Sequence, residues 1–214
     1  AEKPKAQPAQ QAAAVSSDFF DADTVAQLNS MFSRMENDLI LRVQTDDRPI
    51  SGELKTMMEE LAKLTDRLSV EVIEDGEAAP CVKMYRKDGS FTGIGFHGVP
   101  GGHEFTSFVL GLYNAAGPGQ PMDGDVRADI AKVGKKDIKV LVSLNCTMCP
   151  ELVMAAQRIA AENPNVTAEV YDLTHFAALR DKYNVMSVPC LVINQGETVT
   201  FGKKNIRQLV EILK

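Results

Sequence analysis

The sequence contains no tryptophan, only three histidines and only four cysteines in 214 residues. Four cysteines are too few for a disulfide scaffold, so each needs its own explanation. There is no excess of positive charge. Lys and Arg number 23 against 29 Asp and Glu, a net charge of -6. That balance argues against nucleic acid as a partner, because phosphate binding needs clustered basic side chains. No apolar run approaches the roughly 18 residues that a membrane helix requires. What is present, 44% hydrophobic and 24% charged residues, is ordinary for a soluble globular protein. At roughly 150 residues per domain, the length fits one large domain or two small ones.

The first stretch, AEKPKAQPAQQAAAVSS, holds one large apolar residue, Val15. It cannot bury a core, and residues 1–20 are expected to form a flexible linker. It has neither an initiating Met nor the apolar region of a signal peptide. A linker tethers something, which points to a domain N-terminal to Ala1; a processed, exported protein with a free tail is the alternative.

From Asp21 onward the sequence reads as one plan used twice. Helix 23–35 and strand 39–43 are followed by helix 51–68, whose Leu54, Met57, Met58, Leu61, Leu64 and Leu68 keep a 3.6-residue period. Strands 69–73, 79–85 and 91–96 come next, the last two joined by a Lys87-Asp88-Gly89-Ser90 turn. A helix beginning near His103 closes the half. Gly117-Pro118-Gly119-Gln120-Pro121 breaks any element and marks a boundary. Helix 125–133, strand 138–144, helix 151–162, strand 166–171, strands 188–193 and 198–201 and a helix lined by Ile206, Leu209, Val210 and Leu213 repeat the order. A helix over 175–183 is extra. Ala79-Pro80-Cys81-Val82 stands where Val188-Pro189-Cys190-Leu191 stands. The economical reading is a duplicated βαβ-ββα unit, residues 21–117 and 118–214, with right-handed crossovers between its parallel strands.

Cys146-Thr147-Met148-Cys149 carries the chemistry. It joins an apolar strand to a helix. Cys146 is expected at the helix N-terminus, where unpaired backbone N–H groups and the macrodipole favour an anion. A stabilised thiolate is the nucleophile of disulfide exchange. Cys149, one turn on, falls within reach of a disulfide. Pro150 is tolerated there because first-turn N–H groups have no helical partner. Two other readings stay open: half of a zinc site completed from Cys81, Cys190, His97, His103 or His175, or two inert buried thiols.

Other signals carry less. Gly93, Gly95 and Gly98 match a dinucleotide-binding pattern by letters, but they lie in a hairpin strand, not at a strand-to-helix turn. Asn145-Cys146-Thr147 and Asn165-Val166-Thr167 are glycosylation sequons. A glycan on Asn145 would cover the nucleophile, which argues against a eukaryotic secretory setting. Cys81 and Cys190 read as packed strand residues, His103 and His175 as helix-start residues, and most of the nine Met as core filler.

Residues 138–214 resemble a thioredoxin or glutaredoxin. More specifically, residues 21–214 resemble the N-terminal domain of the flavoprotein subunit of alkyl hydroperoxide reductase. The stretches that carry the likeness are Gly102-His103-Glu104-Phe105-Thr106-Ser107-Phe108-Val109-Leu110, Cys146 to Pro150, and Asn184-Val185-Met186-Ser187-Val188-Pro189. Archaeal protein disulfide oxidoreductases are more distant kin. The resemblance implies two tandem thioredoxin-like folds, each a mixed four-stranded sheet covered by helices, fused into one α/β unit, with a dithiol only in the second. The first repeat has Thr45-Asp46-Asp47-Arg48-Pro49 where the dithiol would stand. Pro189 is implied to be a cis-proline facing the dithiol, with Val188 offering backbone groups to a substrate disulfide. Pro80 would keep that conformation without a reactive partner. Glu104 is implied to reach the dithiol across the repeats, where a buried carboxylate could move protons; a plain glutamate at a helix start is the other reading.

The function implied is electron relay. The dithiol would take two electrons from a flavin-bearing, thioredoxin-reductase-like module, carried in cis or in trans, and pass them to a peroxiredoxin disulfide. This chain would then hold no cofactor but the Cys146–Cys149 couple, FAD and NAD(P)H being bound elsewhere, and would work in a bacterial or archaeal cytoplasm, with a homodimer arising through a larger parent. A general disulfide reductase or isomerase, or a docking module with a regulatory dithiol, are the competing functions. Three features depart from the family. Thr147-Met148 replaces His-Asn and would bear on partner fit, no flavin domain is present, and the linker precedes the double fold instead of following it. The last points to a reordered fusion or a stand-alone relay.

Overall fold

The structure, a computed structural model, describes residues 17–214; residues 1–16, most of the expected linker, lie outside the described residues. The first half runs α1 (Ala22–Phe32), β1 (Leu39–Thr45), α2 (Pro49–Ala62), β2 (Leu68–Glu74), β3 (Cys81–Arg86), β4 (Phe91–His97), a 3-10 turn (Gly102–Glu104) and α3 (Phe105–Ala116). The second runs α4 (Gly124–Ala131), β5 (Lys136–Val142), α5 (Cys149–Glu162), β6 (Val166–Asp172), α6 (Ala178–Lys182), β7 (Cys190–Ile193), a 3-10 turn (Asn194–Gly196), β8 (Thr198–Phe201) and α7 (Ile206–Leu213).

Element ends shift where local hydrogen bonds override periodicity. The expected helix to Leu68 stops at Ala62. Thr65 Oγ1 accepts the Arg67 N–H at 3.1 Å, and Leu68 enters the parallel ladder opposite Leu39. The helix expected from His175 begins at Ala178 instead. The Asp172 carbonyl accepts the N–H groups of both His175 and Phe176, which makes a turn of that stretch. The strand expected from Val188 starts at Cys190, since Pro189 has no N–H to give a ladder.

Both halves show the same strand order, and they join edge to edge into one eight-stranded sheet, β2-β1-β3-β4-β6-β5-β7-β8. The joint is the parallel pair β4–β6, with Ile94 opposite Ala168 and His97 opposite Tyr171. Glycines make it possible. A Cβ on Gly93 would stand 2.6 Å from the Val166 carbonyl oxygen, and its φ of +89° already excludes most side chains. At the same joint His97 Nε2 lies 2.8 Å from Glu169 Oε1, and Lys83 Nζ 3.4 Å from the same oxygen. The imidazole stacks on Tyr171 at 3.9 Å between centroids, with Phe176 edge-on to both rings. Burial pushes the Glu169 carboxyl up, but the His97 bond and charge, with Lys83, outweigh it and leave the group below its ordinary range.

One face of the sheet carries the main core. Leu41, Val43, Val82, Met84, Ile94, Phe96, Val140 and Val170 pack there against α1, α2, α3, α4, α5 and α7. The opposite face carries a helix only in the second half, where Leu141, Cys190 and Val192 meet Leu173, Tyr183, Val185 and Leu179 of α6. The first half has a turn in place of that helix. Its sheet face carries Arg42 stacked over the Tyr85 ring at 3.8 Å. No helix among the described residues is long and apolar enough to cross a membrane.

Candidate active site around the Cys146–Cys149 disulfide

β5 delivers the chain to a tight turn in which the Cys146 N–H donates to the Ser143 carbonyl at 3.0 Å. Helix α5 begins at Cys149, with Met148 as its N-cap and Pro150 in its first turn. Cys146 therefore lies three residues before the helix, just outside the N-terminus at which the sequence placed it. The two sulfurs are joined as a disulfide with Cα atoms 5.5 Å apart. Cys146 is half-buried, whereas Cys149 is fully buried. Thr147 and Met148 between them are exposed. One sulfur can meet a partner and the other cannot.

The loop before β7 comes down beside this turn. Val188–Pro189 is a cis peptide, as is Ala79–Pro80 in the first half. The Val188 carbonyl oxygen lies 3.9 Å from Cys146 Sγ. A disulfide sulfur has no proton to donate, so this is an approach distance; the reduced thiol could donate across it. Val188 is half-buried and Pro189 buried, so the proline forms a wall and the backbone of Val188 the accessible edge.

Glu104 ends the 3-10 turn before α3 and is completely buried. That turn is tied to the dithiol loop. The His103 N–H donates to the Leu144 carbonyl at 3.0 Å, and a Cβ on Gly102 would stand 2.7 Å from the same oxygen. Leu144 is two residues from Cys146. Glu104 Oε2 accepts the Ser107 hydroxyl at 2.6 Å, while Oε1 has no partner. Burial pushes the carboxyl up to about 7, the Ser107 bond opposing it. The carboxylate caps no helix N–H. A carboxyl near neutrality with one oxygen free can take or give a proton.

The remaining cysteines are not nucleophiles. Cys81 and Cys190 are fully buried strand residues, each directly after a cis-proline. Burial pushes their thiols up to about 12 and about 11. Among the described residues no three metal-ligating side chains converge. The glycine pattern likewise does not form a dinucleotide loop. Gly93 and Gly98 have positive φ and press against Val166 and Asp172, and Gly95 against Lys83 and Glu169. All three serve the joint between the halves.

Two features escaped sequence reasoning. Met186, two residues before Val188, is 79% exposed. Its place beside the site was legible only in its distance from the proline. In the first half, the Arg48 guanidinium donates to the Ala79 carbonyl at 2.8 Å. Ala79 precedes Pro80 as Val188 precedes Pro189, so Arg48 holds the place that the cysteine sulfur takes in the second half.

Comparison with known proteins agrees with this geometry. The thioredoxin-domain family Thioredoxin_3 matches residues 136–214. A curated relative, the NADH dehydrogenase of Bacillus subtilis, is 32% identical over 191 residues, covering 89% of this chain and 37% of its own length. The chain thus spans little more than a third of that relative. The protein disulfide oxidoreductase of Aeropyrum pernix shares the fold, with 18% identity, a TM-score of 0.76 and coverage of 90% of this chain and 91% of that one. The crystal structure of the NTD_N/C domain of alkylhydroperoxide reductase AhpF from Enterococcus faecalis is 34% identical, with a TM-score of 0.85, over 91% of this chain and all of that one. On fold, dithiol placement and extent of identity, the chain has a thioredoxin-like fold and belongs to the family of the double-fold N-terminal domain of the alkylhydroperoxide reductase AhpF.

Proposed function

We propose that the Cys146–Cys149 couple relays electron pairs from a dithiol on a flavin-bearing reductase module to the disulfide of a peroxiredoxin-type protein, in a bacterial or archaeal cytoplasm. The observation that carries it is the asymmetry of the pair, with Cys146 reachable beside the Val188 edge and Cys149 buried behind it. FAD and NAD(P)H belong to another module, in the same polypeptide or a separate one. Residues 21–117 supply Glu104 and a docking surface; residues 118–214 supply the dithiol.

In the reduced protein the Cys146 thiolate attacks one sulfur of the substrate disulfide. That S–S bond breaks, a mixed disulfide forms, and the other substrate sulfur leaves as a thiolate that takes up a proton. Cys149 then gives up its proton and attacks Cys146 Sγ. The mixed disulfide breaks, the second substrate thiolate is released, and the Cys146–Cys149 disulfide returns. Once the second thiolate takes up the proton that Cys149 gave up, the substrate has gained two electrons and two protons. Buried Cys149 needs a proton acceptor in this second step, and the free oxygen of Glu104 is suited to the task. Thr147, Met148, Val188 and Pro189 form the contact surface for the substrate.

Stopped-flow rates of the reduced protein with an oxidised two-cysteine peroxiredoxin and with insulin test the reading. The peroxiredoxin is expected to react at least about tenfold faster. A preference for insulin would instead make this a general protein disulfide reductase.

A further inference from the structure

The nine methionines divide sharply. Met31, Met35, Met57, Met58 and Met84 are buried, and Met122 and Met154 half-buried. Met148 is 56% exposed and Met186 79%. These two stand on the two loops that meet at the dithiol. Met148 lies between the cysteines. Met186 is two residues from Val188, whose carbonyl approaches Cys146 Sγ. The Met186 loop is pinned on both sides. Asn184 adopts φ +49°, the Val185 N–H donates to the Arg180 carbonyl at 2.8 Å with its side chain buried, and Pro189 is buried beyond. Met186 is thus held outward, an apolar thioether beside a reactive disulfide.

We infer that Met148 and Met186 form a soft apolar rim through which a protein disulfide docks, and that a hydroperoxide oxidises this rim to methionine sulfoxide and so uncouples docking from exchange. The step balances. The thioether sulfur attacks the terminal oxygen of the hydroperoxide, the O–O bond breaks and an S–O bond forms. The sulfur loses two electrons, and the peroxide leaves as an alcohol carrying the proton. The product is polar and chiral where the thioether was apolar and flexible, which opposes apolar contact. A thiol-dependent sulfoxide reductase would restore the rim. A dithiol serving peroxide reduction would thereby lose its protein substrate when peroxide exceeds capacity. The inference rests on the reading that a protein disulfide docks at Cys146.

The test begins with the Cys146–Cys149 disulfide intact, so that its thiols are protected, and with tert-butyl hydroperoxide as oxidant. Peptide mass mapping is expected to find oxygen on Met148 and Met186 well before Met58 and Met84. After reduction of the disulfide with dithiothreitol, the oxidised protein is expected to reduce a peroxiredoxin disulfide, and insulin, at least about fivefold more slowly, with its rate toward glutathione disulfide nearly unchanged. In the double variant Met148→Leu, Met186→Leu the ratio of treated to untreated rate should return to one, whatever its starting rate. Oxidation that spares the two exposed residues, an undiminished rate on protein disulfides, or an equal loss on glutathione disulfide would each overturn the inference. Failure of the relay reading looks different: untreated protein reduces insulin but not peroxiredoxin, and the insulin arm then judges the rim alone.

Discussion

The two repeats present the same backbone and opposite chemistry. Each brings a strand, a loop and a helix with proline in its first turn up to the residue before a cis-proline. In the second repeat the group facing that residue is a sulfur, 3.9 Å from the Val188 carbonyl. In the first it is the Arg48 guanidinium, bonded to the Ala79 carbonyl at 2.8 Å. Arg48 is held in turn by Asp46, which also accepts the Ser51 hydroxyl. The Arg48 bond, with that of Ser51, lowers the Asp46 carboxyl to about 2. The carbonyl that a substrate would meet is already satisfied. The first repeat is closed by hydrogen bonds, and the second is left open for exchange. A fold is thus made reactive or inert at one loop, while strand order stays alike.

The largest effect expected follows from making the second loop as inert as the first. Cys146→Ser removes the nucleophile, and turnover should fall by at least about a thousandfold. Cys149→Ser leaves the attack but not the resolution, so a mixed disulfide with substrate should accumulate and be seen by intact mass. Full activity in Cys146→Ser would remove the basis for the contrast.

Next in size comes the joint on which the two repeats depend. His97→Leu strips Glu169 of its closest partner and leaves a charge in a nearly dry place beside Lys83. Unfolding in urea should show a loss of about 3 kcal/mol. The exchange rate of the folded fraction should hardly change, because His97 contacts Glu169, Tyr171 and the Ala78 carbonyl, not the dithiol turn.

Glu104 is the residue through which the first repeat is proposed to serve the chemistry of the second. Its folded carboxyl titrates at about 7 against an ordinary 4.5. Between those values the unfolded chain has lost a proton that the folded chain keeps. Its contribution is therefore fully present below pH 4.5 and is lost as pH rises through 7, by up to about 3 kcal/mol. Glu104→Gln should flatten that decline in urea titrations from pH 5 to 8. It should also slow release of the mixed disulfide by about tenfold and remove an inflection near pH 7 from that step. A Glu104→Gln protein whose resolution rate still inflects at that pH would return Glu104 to a packing role.

Much of this was legible in the residues. The duplicated order of elements and the dithiol between an apolar strand and a helix both rest on local signals that tertiary contacts reinforce. The joint was not legible. Gly93, Gly95 and Gly98 read only as a discounted letter match to a dinucleotide-binding pattern, because the Val166 and Asp172 atoms that require the small size of Gly93 and Gly98 lie some seventy residues away. The helix at His175 was misplaced for a related reason, its periodicity being overruled by Asp172 taking its first N–H groups. Cys146 was named from its place between strand and helix and Glu104 through resemblance; only the fold brings the Leu144 carbonyl to the His103 N–H between them.

The smallest effect probes the closed loop itself. Arg48→Gln shortens the side chain and removes its charge, so the Ala79 carbonyl and Asp46 lose the guanidinium as donor, while Asp46 keeps the Ser51 hydroxyl. Arg48 is well exposed, and water can replace it at both acceptors, so the melting temperature should fall only slightly. The Asp46 carboxyl, relieved of its strongest partner, should titrate closer to an ordinary aspartate, which carbon-detected NMR can follow. Exchange at Cys146 should proceed at an unaltered rate. A fall in that rate would mean that the closed loop of the first repeat takes part in the reaction, and the division of labour between one inert and one reactive copy would have to be redrawn.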